Sequence, residues 1–589
     1  MNTIKKWISG GLATVGLLML NACGEDFLTR TPQGTFNPNA VTDARGIDAL
    51  LTGAYGMLDG IPSVGPSWHG AGSNWVFGEI PSDNAYKGTD AGDQPEQTAI
   101  ERYVWTVTNE HVRGKWRTLY NGVARTNDVL DNLALVEDLD TARRRVISAE
   151  ARFLRGFYHF EAKKMWNNIP FIDEQDYNKE VPDSAKVPNT EDAWPRIEAD
   201  FMYAMQNLPD AFPGEPGRAT RWAAMGMLAK SYLYQGFDPY TGAPNPQKLQ
   251  QALTLFNQII ASNRFALMDR YGDNFSAAPA NRNNRESIFE IQYSVTSSAG
   301  GGGGLGDELA WPYNTGPGGC CGFYQPSQNL VNAYKTDANG LPLINTFNET
   351  DVTSDQGLSS DQPFTPYAGT LDPRLDHTVG RRGIPYKDWG VHPGRTWVRD
   401  QAYAGPYSPK KHIPERQFFG VNPGNNRLHS NNYRYMRLSQ VLLWAAECEV
   451  EVGSLTRARD LVNQIRRRAA NPDGFVRGAD GAPAANYVVR EYPAGAPQFA
   501  TKEAARNAVR FEERLETSME GHRFFDLVRW GIAEPTLNAY LTKERTQRTY
   551  LSGATFTKNR NEFYPIPFEE ILNSAINGQP TLRQNQGYQ

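Results

Sequence analysis

Cysteine is scarce in this 589-residue chain: there are four, and none is arranged as CxxC or at zinc-finger spacing. That excludes a thioredoxin-type redox pair and argues against a transition-metal centre. No cofactor is expected; oxygen ligands are abundant, but without EF-hand spacing no structural Ca²⁺ is predicted. Charge of one sign is also lacking. Sixty Lys and Arg against 65 Asp and Glu give a formal charge of −5 with no long basic run, which leaves nucleic acid without an electrostatic footprint. Catalytic signatures are missing as well: there is no HExxH, no GxSxG elbow and no P-loop. Gly301, Gly303 and Gly306 match GxGxxG, but in a run that is almost all glycine and without a surrounding βαβ pattern, so a tightly turning loop is expected and not a nucleotide cradle. After Cys23 no stretch approaches the roughly 20 apolar residues of a membrane helix.

What is present begins at the N-terminus. Lys5 and Lys6 precede an uncharged apolar run from Ile8 to Leu20, and Leu20-Asn21-Ala22-Cys23 closes it. The run is too short to span a bilayer and reads as a secretory signal. A leader ending in cysteine resembles the bacterial lipoprotein signal, so residues 1–22 are expected to be removed and Cys23 acylated. Burial at about 0.8 kcal/mol per methylene makes two or three acyl chains an effectively permanent anchor.

A hydrophobic fraction of 40%, with 27 Tyr, 27 Phe and 13 Trp, can fill a large core. Helical periodicity dominates two blocks. In the first, Trp116 to Leu133 pairs with Ala142 to Trp166, and Ala193 to Leu208 with Ala219 to Tyr234, followed by Lys248 to Ile260. Ala223, Ala224, Gly226 and Ala229 are small residues of the kind that let helices approach closely. In the second block, Tyr433 to Val452 and Leu455 to Ala469 are joined at Gly453. Short helical hairpins with alternating large and small apolar residues predict a mainly α, tetratricopeptide-like scaffold of irregular period. Residues 270–430 differ. A strand-like Ser287 to Tyr293 leads into a segment rich in Gly, Pro, Asn and aromatics, as the stretch from Asp59 to Gly92 also is. The expected organisation is thus a leader (1–22), an N-terminal helical part (23–269), an inserted loop-rich region (270–430) and a C-terminal part completing the scaffold (431–589). Of the remaining cysteines, Cys448 falls in an apolar helical pattern. Cys320 and Cys321 are neighbours that either form a disulfide or stay reduced in a Gly-rich loop.

Long ordered loops on a rigid frame are where recognition groups are displayed. Trp68, Trp75 and Tyr86 lie in the first loop-rich stretch; Trp311, Tyr313, Phe323, Tyr324, Trp389 and Trp397 lie in the second. Flat apolar faces with a polar edge suit a partly wet interface, and sugar rings present matching C–H faces fringed by hydroxyls. Roughly half of these aromatics are expected in the core.

With these residues assembled, the chain resembles the SusD/RagB family of Bacteroidetes outer-membrane lipoproteins. The resemblance is carried by Cys23-Gly24-Glu25-Asp26-Phe27-Leu28, by Ala149 to Tyr158, by Tyr433-Arg434 through Glu447 with Asn463 and Ile465 to Ala469, and by Glu520-Gly521-His522-Arg523-Phe524-Phe525-Asp526-Leu527-Val528-Arg529-Trp530-Gly531 with Phe563 to Pro567. It implies a cell-surface, lipid-anchored protein that binds glycans without breaking a bond and passes them to a SusC-like, TonB-dependent β-barrel transporter. Ser82-Asp83-Asn84 and Gly322 to Ser327 resemble family stretches near the ligand pocket. Where many relatives carry Trp-Gly, this chain has Cys321-Gly322, so Trp311 or Tyr324 is taken as the substitute stacking residue. The resulting site comprises Trp75, Asp83, Tyr86, Trp311, Tyr313 and Tyr324, the rings stacking on sugars and Asp83 accepting hydroxyl hydrogen bonds. His522, Arg523, Asp526 and Arg529 are read as an architectural polar network. Two other readings are a peptide-binding or other nutrient-binding subunit of the same transporter type and a surface glycoside hydrolase, whose carboxylate pair need have no fixed spacing.

Overall fold

The computed structural model describes residues 43–60, 65–176, 181–294, 303–419 and 427–588. The expected leader, Cys23 and Gly301 lie outside them.

Helix boundaries follow capping chemistry. Helix α1 (Ala44–Gly56) starts behind Asp43, whose carboxylate accepts from the Gly46 N–H. Asn109, Asp140, Thr220 and Asn245 cap α2 (Glu110–Leu133), α3 (Thr141–Trp166), α5 (Arg221–Tyr234) and α6 (Pro246–Ala261) in the same way. Helix α4 (Trp194–Asn207) has proline in its first turn, where the missing N–H costs nothing. Each of α2 to α6 packs on the next, as helical hairpins stacked side by side. On α5, Ala223, Ala224 and Ala229 are fully buried, and a Cβ at Gly226 would come 2.3 Å from the Met436 sulfur. Small residues there set the close approach.

Helix α6 then packs directly on α7 (Leu438–Val452), although the whole loop-rich excursion separates them in sequence; α7 packs in turn on α8 (Leu455–Ala469) and α9 (Lys502–Thr517). The frame is therefore continuous across the insertion. Its root is a two-stranded antiparallel ladder between β2 (Ser287–Ile291) and β4 (Tyr433–Arg437), with Ser287 opposite Arg437 and Ile291 opposite Tyr433. Here the structure corrects the sequence reading, which began a helix at Tyr433. Tyr-Arg-Tyr-Met-Arg stays extended because β2 pairs with its backbone, and Arg437, extended at φ −133°, serves as the N-cap of α7.

One hydrophobic core runs from Ile47 to Leu582 through frame and insertion alike; a small second cluster holds Trp311, Tyr386, Trp397 and Ile413. Buried ion pairs stitch the two parts. Arg374, in the insertion, meets Asp372 at 2.7 Å, Glu512 at 2.6 Å and Glu516 at 3.1 Å. Cys448 is fully buried in α7, and a disulfide joins Cys320 to Cys321.

Candidate functional site

The two loop-rich stretches meet. Strand β1 (Ala85–Gly88) pairs antiparallel with β3 (Phe323–Pro326), Tyr86 opposite Gln325 and Gly88 opposite Phe323. Ser327 fixes the junction: its hydroxyl donates to the Asp83 carbonyl at 2.7 Å, and its N–H to the Asn84 carbonyl at 2.9 Å. From below, helix α10 (Arg523–Arg529) and the turn before it hold the same segment. Arg523 Nε donates to Asp83 at 2.7 Å, Arg514 Nη2 to the Asp83 carbonyl at 3.0 Å, and one Glu79 carboxylate oxygen accepts the N–H groups of Glu520, Gly521 and His522. The network expected of the C-terminal signature is present: Arg529 pairs with Glu447 at 2.7 Å and Asp526 at 2.8 Å, and His522 Nε2 meets the Gln440 amide at 3.0 Å.

This anchoring uses up most of the side chains expected to touch ligand. Asp83 is buried; burial pushes its carboxyl up, but Arg514 and Arg523 outweigh burial and hold it at about 2. Trp75 is fully buried, its indole N–H donating to the Gly306 carbonyl at 2.9 Å. Tyr86, also fully buried, donates to Glu544 at 2.6 Å. Trp311 lies in the second core cluster and Tyr324 packs its ring 5.5 Å from Trp75. Tyr324 also edges a cavity of about 40 Å³, its hydroxyl without a hydrogen-bond partner among the described residues. The structure thus brings Trp75 and Tyr324 together and ties Asp83 and Tyr86 to the C-terminal helices. None of these five offers an open face, Trp311 and Tyr324 included.

Tyr313 is different. It is only half-buried, and it stands beside the β1–β3 junction, next to Gly322. Its N–H donates to the Trp397 carbonyl, and the Arg399 guanidinium lies 5.7 Å from its ring centroid. Gly322, at φ +81°, passes between Tyr313, Arg399 and Thr89, a backbone conformation that suits glycine. Arg399 pairs with Asp90 at 2.8 Å and Asp93 at 2.7 Å, all three about one-third exposed. Beside them the Cys320–Cys321 disulfide meets Arg427, whose Nη1 is 3.4 Å from the Cys321 sulfur. One ring face, an apolar disulfide edge, a guanidinium fork and two carboxylates make a surface that can hold a flat polyol by stacking and hydrogen bonds.

Sequence reasoning did not single out Arg399, Asp90 or Asp93. Asp90 and Asp93 sit in the turn following β1, and Arg399 two residues after Trp397, but nothing in the sequence says that these positions, over 300 residues apart, share a surface. Carboxyls whose affinity for protons is raised lie elsewhere and inside: burial lifts Asp59 to about 7, Glu79 to about 7, Glu101 to about 7 and Asp307 to about 6. Among the described residues no three His, Cys, Asp or Glu side chains converge on a metal position, and no helix is long and apolar enough to cross a membrane.

A helical-hairpin frame carrying an inserted loop-rich region defines the class, and comparison with known proteins names it: the chain belongs to the SusD family, whose model matches residues 285–588. A second family model, described as starch-binding associating with outer membrane, matches residues 69–233. Among curated relatives, SusD-like protein P25 of Formosa agariphila is 23% identical over 532 residues, covering 86% of this chain and 87% of its own. A SusD-like protein of Bacteroides ovatus is 26% identical over 286 residues, 48% of this chain and 49% of its own. Among solved structures, a laminarin-binding SusD-like protein matches with a TM-score of 0.62 at 22% identity, over 93% of this chain and all of that one. Surface glycan-binding protein A from Bacteroides thetaiotaomicron, in complex with laminarihexaose, matches with a TM-score of 0.66 at 21% identity, over 92% of this chain and 100% of that one. At these identities the structural likeness establishes the mainly α, tetratricopeptide-like fold.

Proposed function

We propose that this protein is a surface glycan-binding subunit that holds oligo- or polysaccharide at the face around Tyr313 and releases it chemically unchanged to a SusC-like, TonB-dependent transporter. The observation that carries this reading is the β1–β3 junction, which fuses two distant loop-rich stretches into one surface. There a half-buried tyrosine ring is bordered by the Arg399, Asp90 and Asp93 groups. Binding without bond cleavage is supported by the pairing of both carboxylates on that face with one guanidinium, since a glycosidase needs one carboxyl free to protonate the leaving oxygen. Family membership and neighbours that bind laminarin or laminarihexaose favour a glycan over a peptide. Attachment at the outer face of the outer membrane through acylated Cys23 belongs to the same reading, supported by the leader pattern and by the description of the N-terminal family model.

Isothermal titration of the purified protein with a panel of glycans tests the site. Tyr313→Ala should weaken the preferred glycan by about 2- to 12-fold, the range of one aromatic contact of about 0.5–1.5 kcal/mol. Arg399→Ala should weaken it as well. Wild-type affinity in both variants would remove the assignment, and new reducing ends during incubation would show that the protein is a hydrolase.

A further inference from the structure

A second concavity lies on the helical frame, and no residue of 270–430 lines it. Its walls are the C-terminal ends of α3 and α5, the start of α4 at Trp194, the turn between α5 and α6, and α10, with Phe563 from the C-terminal segment. It encloses about 560 Å³, within the roughly 300–1,000 Å³ typical of small-ligand sites. The turn that forms one lip is held shut on itself, Asp238 N–H to the Ala243 carbonyl at 2.9 Å and Asn245 N–H to the Gly236 carbonyl at 2.7 Å. Gly531, at φ +67°, lets the chain after α10 lie against it; a Cβ there would come 2.3 Å from the Gly242 nitrogen.

Two side chains stand out on the walls. Trp194 and Tyr234 are half-buried, with their rings 5.9 Å and 5.1 Å from Phe160, so both are braced from behind. Within the described residues no hydrogen bond engages the Trp194 indole N–H or the Tyr234 hydroxyl. The cations of the lining are all neutralised by protein carboxylates: Lys163 by Asp192 at 3.0 Å, Lys164 by Glu161 at 2.8 Å, and Arg529 by Glu447 at 2.7 Å. The one carboxylate on the lip, Asp238, accepts from the Tyr240 and Thr241 N–H groups and the Thr241 hydroxyl and has no cation partner among the described residues, so the groove offers no free cation to an anion. Braced rings with unengaged polar edges and no unpaired cation suit a neutral ligand that has flat C–H faces and hydroxyls. An anionic ligand would have to compete with three existing ion pairs.

We propose that this groove is a second saccharide subsite, taking a neutral sugar unit of one or two rings against Trp194 and Tyr234. The proposal rests on the glycan-binding reading above and adds a site on the opposite side of the sequence organisation, in the frame and not in the insertion. Two contacts on one chain would raise retention of a long polysaccharide by effective concentration, even where each contact is weak.

The test begins with an array of neutral and anionic oligosaccharides, from which the best-bound short glycan is taken into isothermal titration. The wild-type protein should bind two molecules per chain. Tyr234→Phe, which keeps the packing, should weaken one of the two sites about 2- to 12-fold, the range of one hydrogen bond. Trp194→Phe should weaken that same site, and Tyr313→Ala with Arg399→Ala the other. The proposal falls if Tyr234→Phe and Trp194→Phe leave stoichiometry and affinity as in wild type, if the groove variants alter only binding of anionic glycans, or if they alter only capture of the transporter. Loss of all binding in the Tyr313/Arg399 variant would also overturn the groove and leave the loop-face reading standing. The reverse pattern, one site lost in Tyr234→Phe and none in the Tyr313/Arg399 variant, would remove the loop face and keep the groove. An array with no bound glycan would remove both.

Discussion

Asp59 shows how a single buried carboxyl shapes the behaviour of this protein. One of its oxygens has no hydrogen-bond partner among the described residues, and burial, reinforced by Asp307, lifts its proton affinity from the ordinary 3.8 to about 7. Because the folded value lies above the unfolded one, its contribution to stability is complete below about pH 4 and is lost as pH rises through about 7. Asp59→Asn should therefore match wild type near pH 4 and exceed it at pH 8, by on the order of 2–4 kcal/mol. Chemical denaturation at the two pH values checks this; equal stability at pH 8 would contradict it. Asp83 carries the opposite sign: held at about 2 against an ordinary 3.8, it contributes stability above about pH 4 that is lost as pH falls through about 2. Asp83→Ala leaves Arg514 and Arg523 without their carboxylate and should cost about 3–5 kcal/mol.

The same scale explains why the site was the least legible part of the sequence. Composition and loop character identify which stretches carry aromatics, and those stretches do meet. Whether a given ring faces solvent depends on partners far away: the Gly306 carbonyl for Trp75 and the Glu544 carboxylate for Tyr86. Trp75 and Tyr86 bury themselves because those partners satisfy their polar edges. Tyr313 stays only half-buried, with Gly322 and the Arg399 guanidinium beside its ring and, among the described residues, no carboxylate or carbonyl drawing it into the core.

At the level of elements, capping residues and apolar periodicity made the frame readable. Leu455–Ala469 begins and ends where the sequence places it, and α2 extends six residues earlier than its apolar stripe because Asn109 caps it. The error at Tyr433 had a nonlocal cause, since the strand exists only through pairing with β2. A tighter junction lies between the Trp75–Glu79 turn and the Gly521 turn. Gly521, at φ +82°, would place a Cβ 1.8 Å from the Ser73 carbonyl oxygen, and Gly78 would place one 2.0 Å from the Gly521 oxygen. Gly521→Ala is expected to destabilise by more than about 2 kcal/mol and to lower the unfolding midpoint, or to prevent folding. A variant with the wild-type midpoint would show that this contact is not required.

For the whole molecule, the shared core and the Arg374 ion pairs predict that insertion and frame unfold together. Far-ultraviolet dichroism and tryptophan fluorescence should give coincident transitions. Two separated transitions would mean that the loop-rich region melts on its own.

The direct seating of α6 on α7 has a further consequence. Since those helices touch each other directly, the chain between them leaves and re-enters the scaffold at neighbouring points, and lengthening one of its loops carries only a logarithmic penalty, about 0.6 kcal/mol per doubling. Descendants of such a scaffold are free to resize the loops of that segment so long as the Arg374 pairing with Glu512 and Glu516 is inherited with the chassis.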